Sequence, residues 1–251
     1  MKRIESTKNP QVKQWKKLLT KKEREKTGLF IIEGFHLVEE ALKSGIHMVE
    51  IILEEKKEIP PNWDVDNLPI TIVTEEIMKT ISDTETPQGI AAVCKQFTYE
   101  QIDWGKANVL LIDAVQDPGN VGTMIRTADA AGIDAVILGE GCVDLYNPKV
   151  IRATQGSLFH LPIIRGNLRE WIHTLKEQQV RIYGTALENG EDYKQVKPNE
   201  PFALLVGNEG SGVNKELLQM TTKNLYIPIY GKSESLNVAV ATGILLYYLR
   251  G

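Results

Sequence analysis

The sequence predicts an α/β protein with two domains: a parallel-sheet domain preceded by a smaller α/β domain. From residue 109 onward, short apolar runs alternate with segments of helical periodicity, which is the pattern of a parallel sheet covered on both faces. The first 97 residues contain a separate set of short strands. A length of 251 residues fits two domains of ordinary size.

The N-terminal domain is predicted to open with a basic helix over residues 9–26. Pro10 suits the first turn of that helix, and apolar residues recur through it at helical spacing. Four strand-like and two helix-like segments follow and form a compact α/β unit. They are a strand over 29–32, a helix over 35–44 that ends at Gly45, strands over 49–53, 71–73 and 89–93, and a short helix over 74–79 capped by Thr74.

A polar stretch over 98–107 is the predicted linker between an N-terminal domain, 1–97, and a C-terminal domain, 108–251. Open parallel sheets bind ligands at the carboxyl ends of their strands, so a ligand site is expected in the loops that follow those strands. The predicted strands of the C-terminal domain cover 109–112, 135–138, 181–185, 202–206 and 224–227. Its predicted helices cover 121–131, 148–154, 168–178, 214–220 and 236–249.

The composition is that of a soluble globular protein, with 42% hydrophobic and 25% charged residues. No apolar run approaches the roughly 20 residues that span a bilayer, and the N-terminus lacks the apolar core of a secretory signal. The two cysteines, Cys94 and Cys142, and the four histidines show no metal-binding spacing. We therefore expect a cytoplasmic protein without a membrane or metal partner.

The charge of the chain is unevenly distributed. Ten Lys or Arg and three Asp or Glu between Met1 and Lys26 give this segment +7, so the remaining residues carry −11 of a net charge of −4. A basic segment on an acidic body can bind a phosphate backbone, because binding depends on the local field. The charge alone is equally compatible with a solvated helix that contacts no RNA.

The first informative loop follows the strand at 109–112 and carries the pattern Asn-x-Gly-x-x-x-Arg-x-Ala. Asn120 lies at the start of a helix, where its side chain can cap it. Arg126 falls about two turns into an otherwise apolar helix. An arginine there either pairs with a buried carboxylate or faces an anion in a cleft, and the spacing allows both. The Gly-x-Gly-x-x-Gly fingerprint of dinucleotide-binding proteins is absent from this loop.

The second loop, Gly207-Asn208-Glu209-Gly210-Ser211-Gly212, follows the strand at 202–206. Three glycines in six residues indicate unusual backbone angles or a ligand pressed against the backbone. Glu209 is costly to bury unless it is paired. By itself the loop indicates a small-molecule or phosphate site, or a glycine-rich turn with a solvent-facing glutamate.

The third loop follows the strand at 224–227 and leads into a long apolar helix. Ser235 and Asn237 precede that helix, and Ser235 is the expected N-cap. The helix begins with the small apolar residues Val238–Ala241, so another element must pack closely against it. Either a neighbouring strand or a second subunit fits this requirement.

Taken together, the three loops resemble the SpoU/TrmH branch of the SPOUT methyltransferases. The order is Asn-x-Gly-x-x-x-Arg-x-Ala, then Val-Gly-Asn-Glu-Gly-x-Gly, then Ile-Pro-Ile-x-Gly-x-x-x-Ser-Leu-Asn-Val-Ala-Val-Ala, and the likeness covers about residues 108–250. The N-terminal half resembles that family's L30e-like substrate-binding domain through residues 29–34 and 85–93. This layout is most similar to the family's 23S ribosomal RNA methylases.

The resemblance implies a parallel sheet with a C-terminal trefoil knot, and S-adenosyl-L-methionine as the cofactor. The positions that match the family's cofactor-binding loops would supply backbone contacts and pocket-lining groups. The backbone contacts would come from Gly207, Ile227 and Leu236, and the pocket lining from Thr185, Ala186 and Asn208. No metal is implied.

The implied reaction is methyl transfer to a ribose 2′-hydroxyl of RNA. Arg126 matches the family's catalytic residue, either as a proton acceptor or as the group that orients the hydroxyl and its phosphate. Free guanidinium has a pKa above about 12, which makes the first role demanding. The remaining matching residues are Asn120, Glu209, Ser235 and Asn237. Glu209 is expected either to pair with Arg126 or to anchor Asn120.

The resemblance also implies a homodimer with the last helix and the first-loop helix between the subunits. The small apolar face at 238–244 is compatible with this, and equally with burial inside one subunit. Two other functions stay open at this point, a transfer RNA 2′-O-methyltransferase and a non-catalytic RNA-binding ribosome-assembly factor. A nucleotide-binding α/β protein of another kind is a third, which binding of S-adenosylhomocysteine against ATP and NAD would distinguish.

Overall fold

The computed structural model describes residues 2–98 and 102–251, which form two compact units. The first unit contains residues 2–98 and 144–159, and the second contains 102–143 and 160–251. Part of the predicted linker, residues 99–101, lies outside the described residues. The rest of it includes a short 3-10 turn at Trp104–Lys106.

Strands and helices are numbered along the chain. The strands are β1 Lys2–Ile4, β2 Leu29–Glu33, β3 Met48–Glu54, β4 Ile70–Val73, β5 Ile90–Lys95, β6 Val109–Ile112, β7 Ala135–Leu138, β8 Ile163–Arg165, β9 Arg181–Thr185, β10 Glu191–Asp192, β11 Phe202–Val206 and β12 Lys223–Tyr226. The helices are α1 Pro10–Lys17, α2 Lys21–Thr27, α3 Phe35–Ser44, α4 Glu75–Ile81, α5 Pro118–Ala130, α6 Pro148–Thr154, α7 Leu168–Glu177, α8 Lys215–Gln219 and α9 Val238–Arg250.

The first unit is built on a mixed sheet with the strand order β1-β4-β3-β5-β2. β5 runs antiparallel to both β2 and β3, whereas β4 pairs in parallel with β1 and β3. The predicted caps are confirmed, since Pro10 opens α1, Thr74 accepts a hydrogen bond from the backbone of Ile77, and Gly45 ends α3 with φ 71°. The edge strand β1 was not predicted.

The basic N-terminal segment forms two helices rather than the single helix predicted. The chain leaves helical geometry after Leu18, and α2 ends at Gly28, which has φ 67°. Val12, Trp15 and Leu18 are buried in the core of the first unit, so the lysine-rich faces belong to an integral part of the fold. The segment is therefore not a detachable arm.

Helix α6 makes its contacts in the first unit, although the strand–helix alternation placed it with the parallel sheet. A partly buried ion pair fixes this segment: Arg24 is 3% exposed, and its guanidinium lies 2.6 Å from the carboxylate of Asp144. The same guanidinium also donates to the backbone oxygen of Leu18. An ion pair between residues 120 positions apart leaves no periodic signal in the sequence.

The second unit is the predicted parallel sheet, which the structure confirms. Its strand order is β10-β12-β9-β11-β6-β7-β8, and every neighbouring pair is parallel. In the register, Leu204 of β11 lies between Leu110 of β6 and Tyr183 of β9. The strands β6, β7 and β11 are fully buried, as their uninterrupted apolar runs predicted. The short edge strands β8 and β10 were not predicted.

Candidate active site

The three loops singled out in the sequence follow β6, β11 and β12, which all point in one direction. Carboxyl ends of parallel strands meet at one edge of a sheet, so the loops are brought to the same edge. β6 and β11 are direct neighbours, and β9 separates β11 from β12. The strand order therefore brings the first motif to the second and third motifs, which lie more than 80 residues further along the chain.

A chain of hydrogen bonds joins one residue from each loop. Asn120 donates from Nδ2 to Oε1 of Glu209 at 3.1 Å, and its Oδ1 accepts from Nδ2 of Asn237 at 2.9 Å. Asn237 in turn accepts from the backbone N–H groups of Ala239 and Val240 at the start of α9. In each of these two asparagines the amide nitrogen donates and the amide oxygen accepts, so both amide orientations are defined.

The carboxylate of Glu209 also accepts hydrogen bonds from the backbone of the first loop. It accepts from the N–H groups of Asp117 at 3.2 Å and Gln116 at 3.4 Å. Partial burial would raise the pKa of this carboxyl. Hydrogen bonds from Asn120 and from the backbone of Glu209, Asp117 and Gln116 outweigh that effect and lower the pKa below its ordinary value of 4.5. Of the two roles expected for Glu209, the structure gives the one that anchors Asn120.

The glycine-rich loop is held in shape by Asn208. Its Oδ1 accepts from the N–H groups of Gly210 and Ser211, and its Nδ2 donates to the backbone oxygen of Ala114 at 2.9 Å. Gly207 has no space for a side chain, because a Cβ there would lie 2.2 Å from the backbone nitrogen of Val213. The glycine requirement at Gly207 therefore comes from the close approach of the loop to itself.

Two expected capping roles are wrong. Asn120 does not cap α5: the helix starts three residues earlier than predicted, and Asp117 accepts from the backbone of Asn120 at 2.7 Å. Ser235 does not cap the last helix, because Asn237 does so and the helix begins at Val238 instead of residue 236. The side chain of Asn120 is thereby left for the bonds to Glu209 and Asn237, and Ser235 is exposed in the loop.

Arg126 is an exposed residue of α5 and forms no ion pair or hydrogen bond with any residue in the described ranges 2–98 and 102–251. The proposed pairing with Glu209 is therefore not present. At about 100° per residue, Arg126 projects about 120° around the helix from Asn120. Its guanidinium is free to meet an anion.

The expected cofactor-binding positions lie at the ends of β9, β11 and β12. Thr185 is half-buried and donates to the backbone oxygen of Leu205, and Ala186 donates from its backbone to Leu225. The segment from 228 to 236, between Ile227 and Asn237, makes no backbone–backbone hydrogen bond with any described residue. The backbone oxygen of Ser235 accepts from the hydroxyl of Ser233 at 2.8 Å, and the backbone groups of Leu236 are available to a ligand.

Sequence reasoning missed three residues that build this site. Asp117 stands directly before Pro118. A capping residue followed by proline is a sequence pattern that predicts the start of a helix. Asp113 accepts from the backbone of Asn214 at 2.7 Å, and Ala114 adopts φ 52°. No local pattern marks these last two, because their roles depend on a loop about 100 residues away.

Two features of the described residues concern the expected absence of a membrane and a metal partner. Among the described residues, no helix has the length and apolar character needed to cross a bilayer. One group of possible metal ligands occurs in that part of the chain, His36, Glu39 and Glu40 of α3. His36 contacts the backbone oxygen of Gln155, and both glutamates pair with Lys43. The absence of a metal stays a prediction.

The chain matches two protein-family models. The SpoU rRNA methylase family matches residues 107–247, and the MRM3-like substrate-binding domain matches residues 9–92. The chain is also 54% identical over 251 residues to the 23S rRNA (guanosine(2553)-2′-O)-methyltransferase RlmP of Bacillus subtilis, which covers all of both chains.

Two solved structures with bound S-adenosylmethionine are similar over nearly the whole chain. An rRNA methyltransferase from Sinorhizobium meliloti has a TM-score of 0.87 and 32% identity, covering 99% of this chain and 97% of that one. The SpoU methyltransferase AviRb from Streptomyces viridochromogenes has a TM-score of 0.84 and 25% identity, covering 96% and 97%.

Proposed function

The chain belongs to the SpoU rRNA methylase family, and from this premise we propose that it transfers the methyl group of S-adenosyl-L-methionine to a ribose 2′-oxygen of 23S ribosomal RNA. The observation that carries the proposal is the hydrogen-bonded chain from Glu209 through Asn120 to Asn237. It joins all three motifs at the carboxyl edge of the sheet and leaves Arg126 without a partner among the described residues.

In this reaction the bond between the methyl carbon and sulfur breaks and releases S-adenosylhomocysteine, a carbon–oxygen bond forms, and the proton of the 2′-hydroxyl passes to solvent water. A hydroxyl is a poor nucleophile until its proton is being removed. A guanidinium holds its own proton too tightly to be a ready base. We assign Arg126 to orienting the hydroxyl and the adjacent phosphate and to stabilising the developing charge. Ser235, exposed beside Asn237, completes the substrate side of the site.

The cofactor supplies an activated methyl group on a sulfonium, so the transfer needs no metal. The structure fits such a ligand in two respects. The 228–236 segment makes no backbone–backbone hydrogen bond with a described residue, and Gly207 and Asn208 hold the neighbouring loop in one shape. We propose backbone contacts from Gly207, Ile227 and Leu236, with Thr185, Ala186 and Asn208 lining the pocket. The C-terminal trefoil knot implied by the resemblance stays a prediction.

The RNA is proposed to contact the lysine-rich faces of α1 and α2. Lys13, Lys16 and Lys17 are exposed and form no ion pair with any described residue. Lysines that share one surface without acidic partners favour the interpretation that they bind a phosphate backbone. In a helix that only faces solvent, lysines are usually stabilised by neighbouring acidic side chains. The match to a substrate-binding domain over 9–92 supports this surface as the one that binds RNA. With ribosomal RNA as the substrate, we expect the enzyme in the cytoplasm.

We further propose a homodimer through α5 and α9. Six large apolar side chains of the described residues are exposed, and three of them, Val240, Ile244 and Tyr247, lie along one face of α9. Tyr247 reaches the backbone oxygen of Ala130 at the end of α5, so this face adjoins the helix that carries Arg126. A second copy seated here covers the apolar face and brings its own Arg126 toward the first copy's site.

The test is a map of ribose 2′-O-methylation in total RNA from a strain that lacks the gene. One 23S ribosomal RNA ribose is expected to lose its methyl group and to regain it when the purified enzyme and S-adenosylmethionine are added. A loss confined to transfer RNA would give the function to the transfer RNA alternative. An unchanged map, together with no binding of S-adenosylhomocysteine, would favour the assembly factor.

A further inference from the structure

Tyr230 is the most exposed large apolar side chain among the described residues, at 89%. It lies in the segment between β12 and α9, and it forms no hydrogen bond or ring contact with any described residue. Burial of an aromatic ring is favourable, so a ring left this exposed contributes little to the stability of the fold. The ring of Tyr230 is therefore available to a binding partner.

The segment that carries Tyr230 is fixed at both ends beside the candidate active site. β12, which precedes it, is hydrogen-bonded to β9 and β10. Asn237, which follows it, caps α9 and donates to Asn120. Tyr230 stands five residues before Ser235, and a chain of five residues spans at most about 18 Å. One short stretch of RNA can therefore meet both residues.

The surroundings of Tyr230 are polar and exposed, and every residue from 230 to 237 faces solvent. Residues 228–236 include one lysine and one glutamate, so the segment has no net charge. Of the other exposed large apolar side chains, four belong to residues 236–247, and the fifth is Leu187 in the loop after β9. A protein partner would need a contiguous apolar patch, which a single ring does not provide. An isolated exposed ring suits the face of a nucleobase.

We propose that Tyr230 stacks on an unpaired base of the RNA, next to the nucleotide whose ribose is methylated. RNA as the ligand rests on the proposed function. Turning a nucleotide out of its strand toward Arg126 and Ser235 costs the stacking energy of the bases beside it. A ring at the rim of the site restores stacking to one of those bases. Because every base has a π-face, Tyr230 selects an unpaired base without reading its identity.

The test uses unmethylated 23S ribosomal RNA from the strain that lacks the gene. Tyr230→Ala is expected to raise the KM for this RNA about tenfold, a typical effect of removing one base-stacking ring. The kcat should stay within about twofold, because the ring does not touch the reacting atoms. Tyr230→Phe should restore the KM. Tyr230→Leu, which is apolar but has no aromatic ring, should behave like Tyr230→Ala.

Two further measurements separate stacking from other roles of Tyr230. The slope of log RNA affinity against log salt should be the same in Tyr230→Ala and the wild type, since no phosphate contact is lost. Affinity for S-adenosylhomocysteine, measured by calorimetry, should stay within about twofold. Leu187→Ala is the matched control, because Leu187 is 64% exposed in the loop after the strand next to β12. It should keep the wild-type KM for RNA.

Three results would overturn the proposal: an unchanged KM in Tyr230→Ala, a wild-type KM in Tyr230→Leu, or a tenfold weaker affinity of Tyr230→Ala for S-adenosylhomocysteine. The last result would place the ring in the cofactor site. If the wild type transfers no methyl group to this RNA, the proposed function fails and the role of Tyr230 fails with it. Transfer by the wild type with an unchanged KM in Tyr230→Ala rejects the role of Tyr230 alone.

Discussion

Asn237 donates from its side-chain amide to the amide oxygen of Asn120 across 2.9 Å, joining residues 117 positions apart. Because Asn120 donates onward to Glu209 and Asn237 accepts from the start of α9, every bond in this chain points the same way. The chain of donors ends on the carboxylate of Glu209. Partial burial would raise the pKa of this group, but the bonds from Asn120 and nearby backbone N–H groups lower it. The start of α9 and the glycine-rich loop are thereby held at fixed positions relative to each other.

Asn120→Asp should disrupt this chain while keeping the shape of the side chain. The variant loses the donor to Glu209 and places two carboxylates together, so the loops shift apart. Since small misplacements near a reacting centre cost about a hundredfold in rate, kcat should fall by about that factor with RNA and cofactor saturating. Asn167→Asp, which changes an N-cap on α7 in the same way, should keep wild-type kcat. Equal rates in the two variants would contradict the role of Asn120.

Arg126→Ala should lower methyl transfer by about 10²- to 10³-fold, the usual loss for one charge-stabilising donor. Affinity for S-adenosylhomocysteine, measured by calorimetry, should stay within a few-fold, because Arg126 is not placed in the cofactor pocket. Arg126→Lys should recover only part of the activity, since lysine lacks the planar fork of arginine. Full activity in Arg126→Ala would remove this residue from the mechanism.

Mixing Arg126→Ala with Asn120→Asp tests whether each site uses the arginine of a partner. In a twofold dimer, half of the mixed population is heterodimeric and one of its two sites is intact, so about a quarter of wild-type activity should return. No recovery after exchange of subunits would place Arg126 and Asn120 of one site in the same subunit.

Ile244→Glu should dissociate the proposed dimer, because it puts a charge in the centre of the apolar face of α9. Light scattering should report a monomer, and methyl transfer should fall with it. Leu187→Glu is the control, since Leu187 is 64% exposed in the loop between β9 and β10 and is not part of the α9 face, so its variant should stay dimeric. A wild-type protein that is monomeric at micromolar concentration would contradict the interface.

Replacing Lys13, Lys16 and Lys17 together by Gln should weaken RNA binding and make it less sensitive to salt. Each lost phosphate contact lowers the slope of log affinity against log salt by about 0.7 to 0.9, so a change of about 2 is expected. The control replaces Lys43, Lys79 and Lys223, which are paired with glutamates. Deleting residues 1–26 is the wrong experiment, because it removes buried core residues such as Trp15.

The stability that Glu209 contributes should depend on pH. Its pKa is lowered in the folded protein, so the contribution is fully present above the ordinary value of 4.5 and is lost as the pH falls through the folded pKa. The melting temperature of the wild type should exceed that of Glu209→Gln at pH 6, and the difference should shrink below pH 4.5. A constant difference across this range would show that the carboxylate is not charged in the cluster.

Much of the fold was predictable because its signals are local. Uninterrupted apolar runs predict the buried strands β6, β7 and β11. Single residues predict helix ends, namely Pro10, Gly45 and Thr74. The short edge strands β1 and β10 have no such signal, since a few residues at the margin of a sheet are defined by their neighbours. The division of the basic segment into two helices was likewise set by packing.

The sequence by itself determined the order of the three motifs, the parallel sheet and the uneven charge. It could not decide what the polar residues of the motifs do. Asn120 and Ser235 both had an acceptable local role as helix caps, and only the folded chain shows that Asp117 and Asn237 take those roles. Glu209 had two possible partners, and the tertiary structure gave it Asn120. The reason is physical: periodicity and capping act over a few residues, whereas hydrogen bonds between loops depend on which strands are neighbours in the sheet.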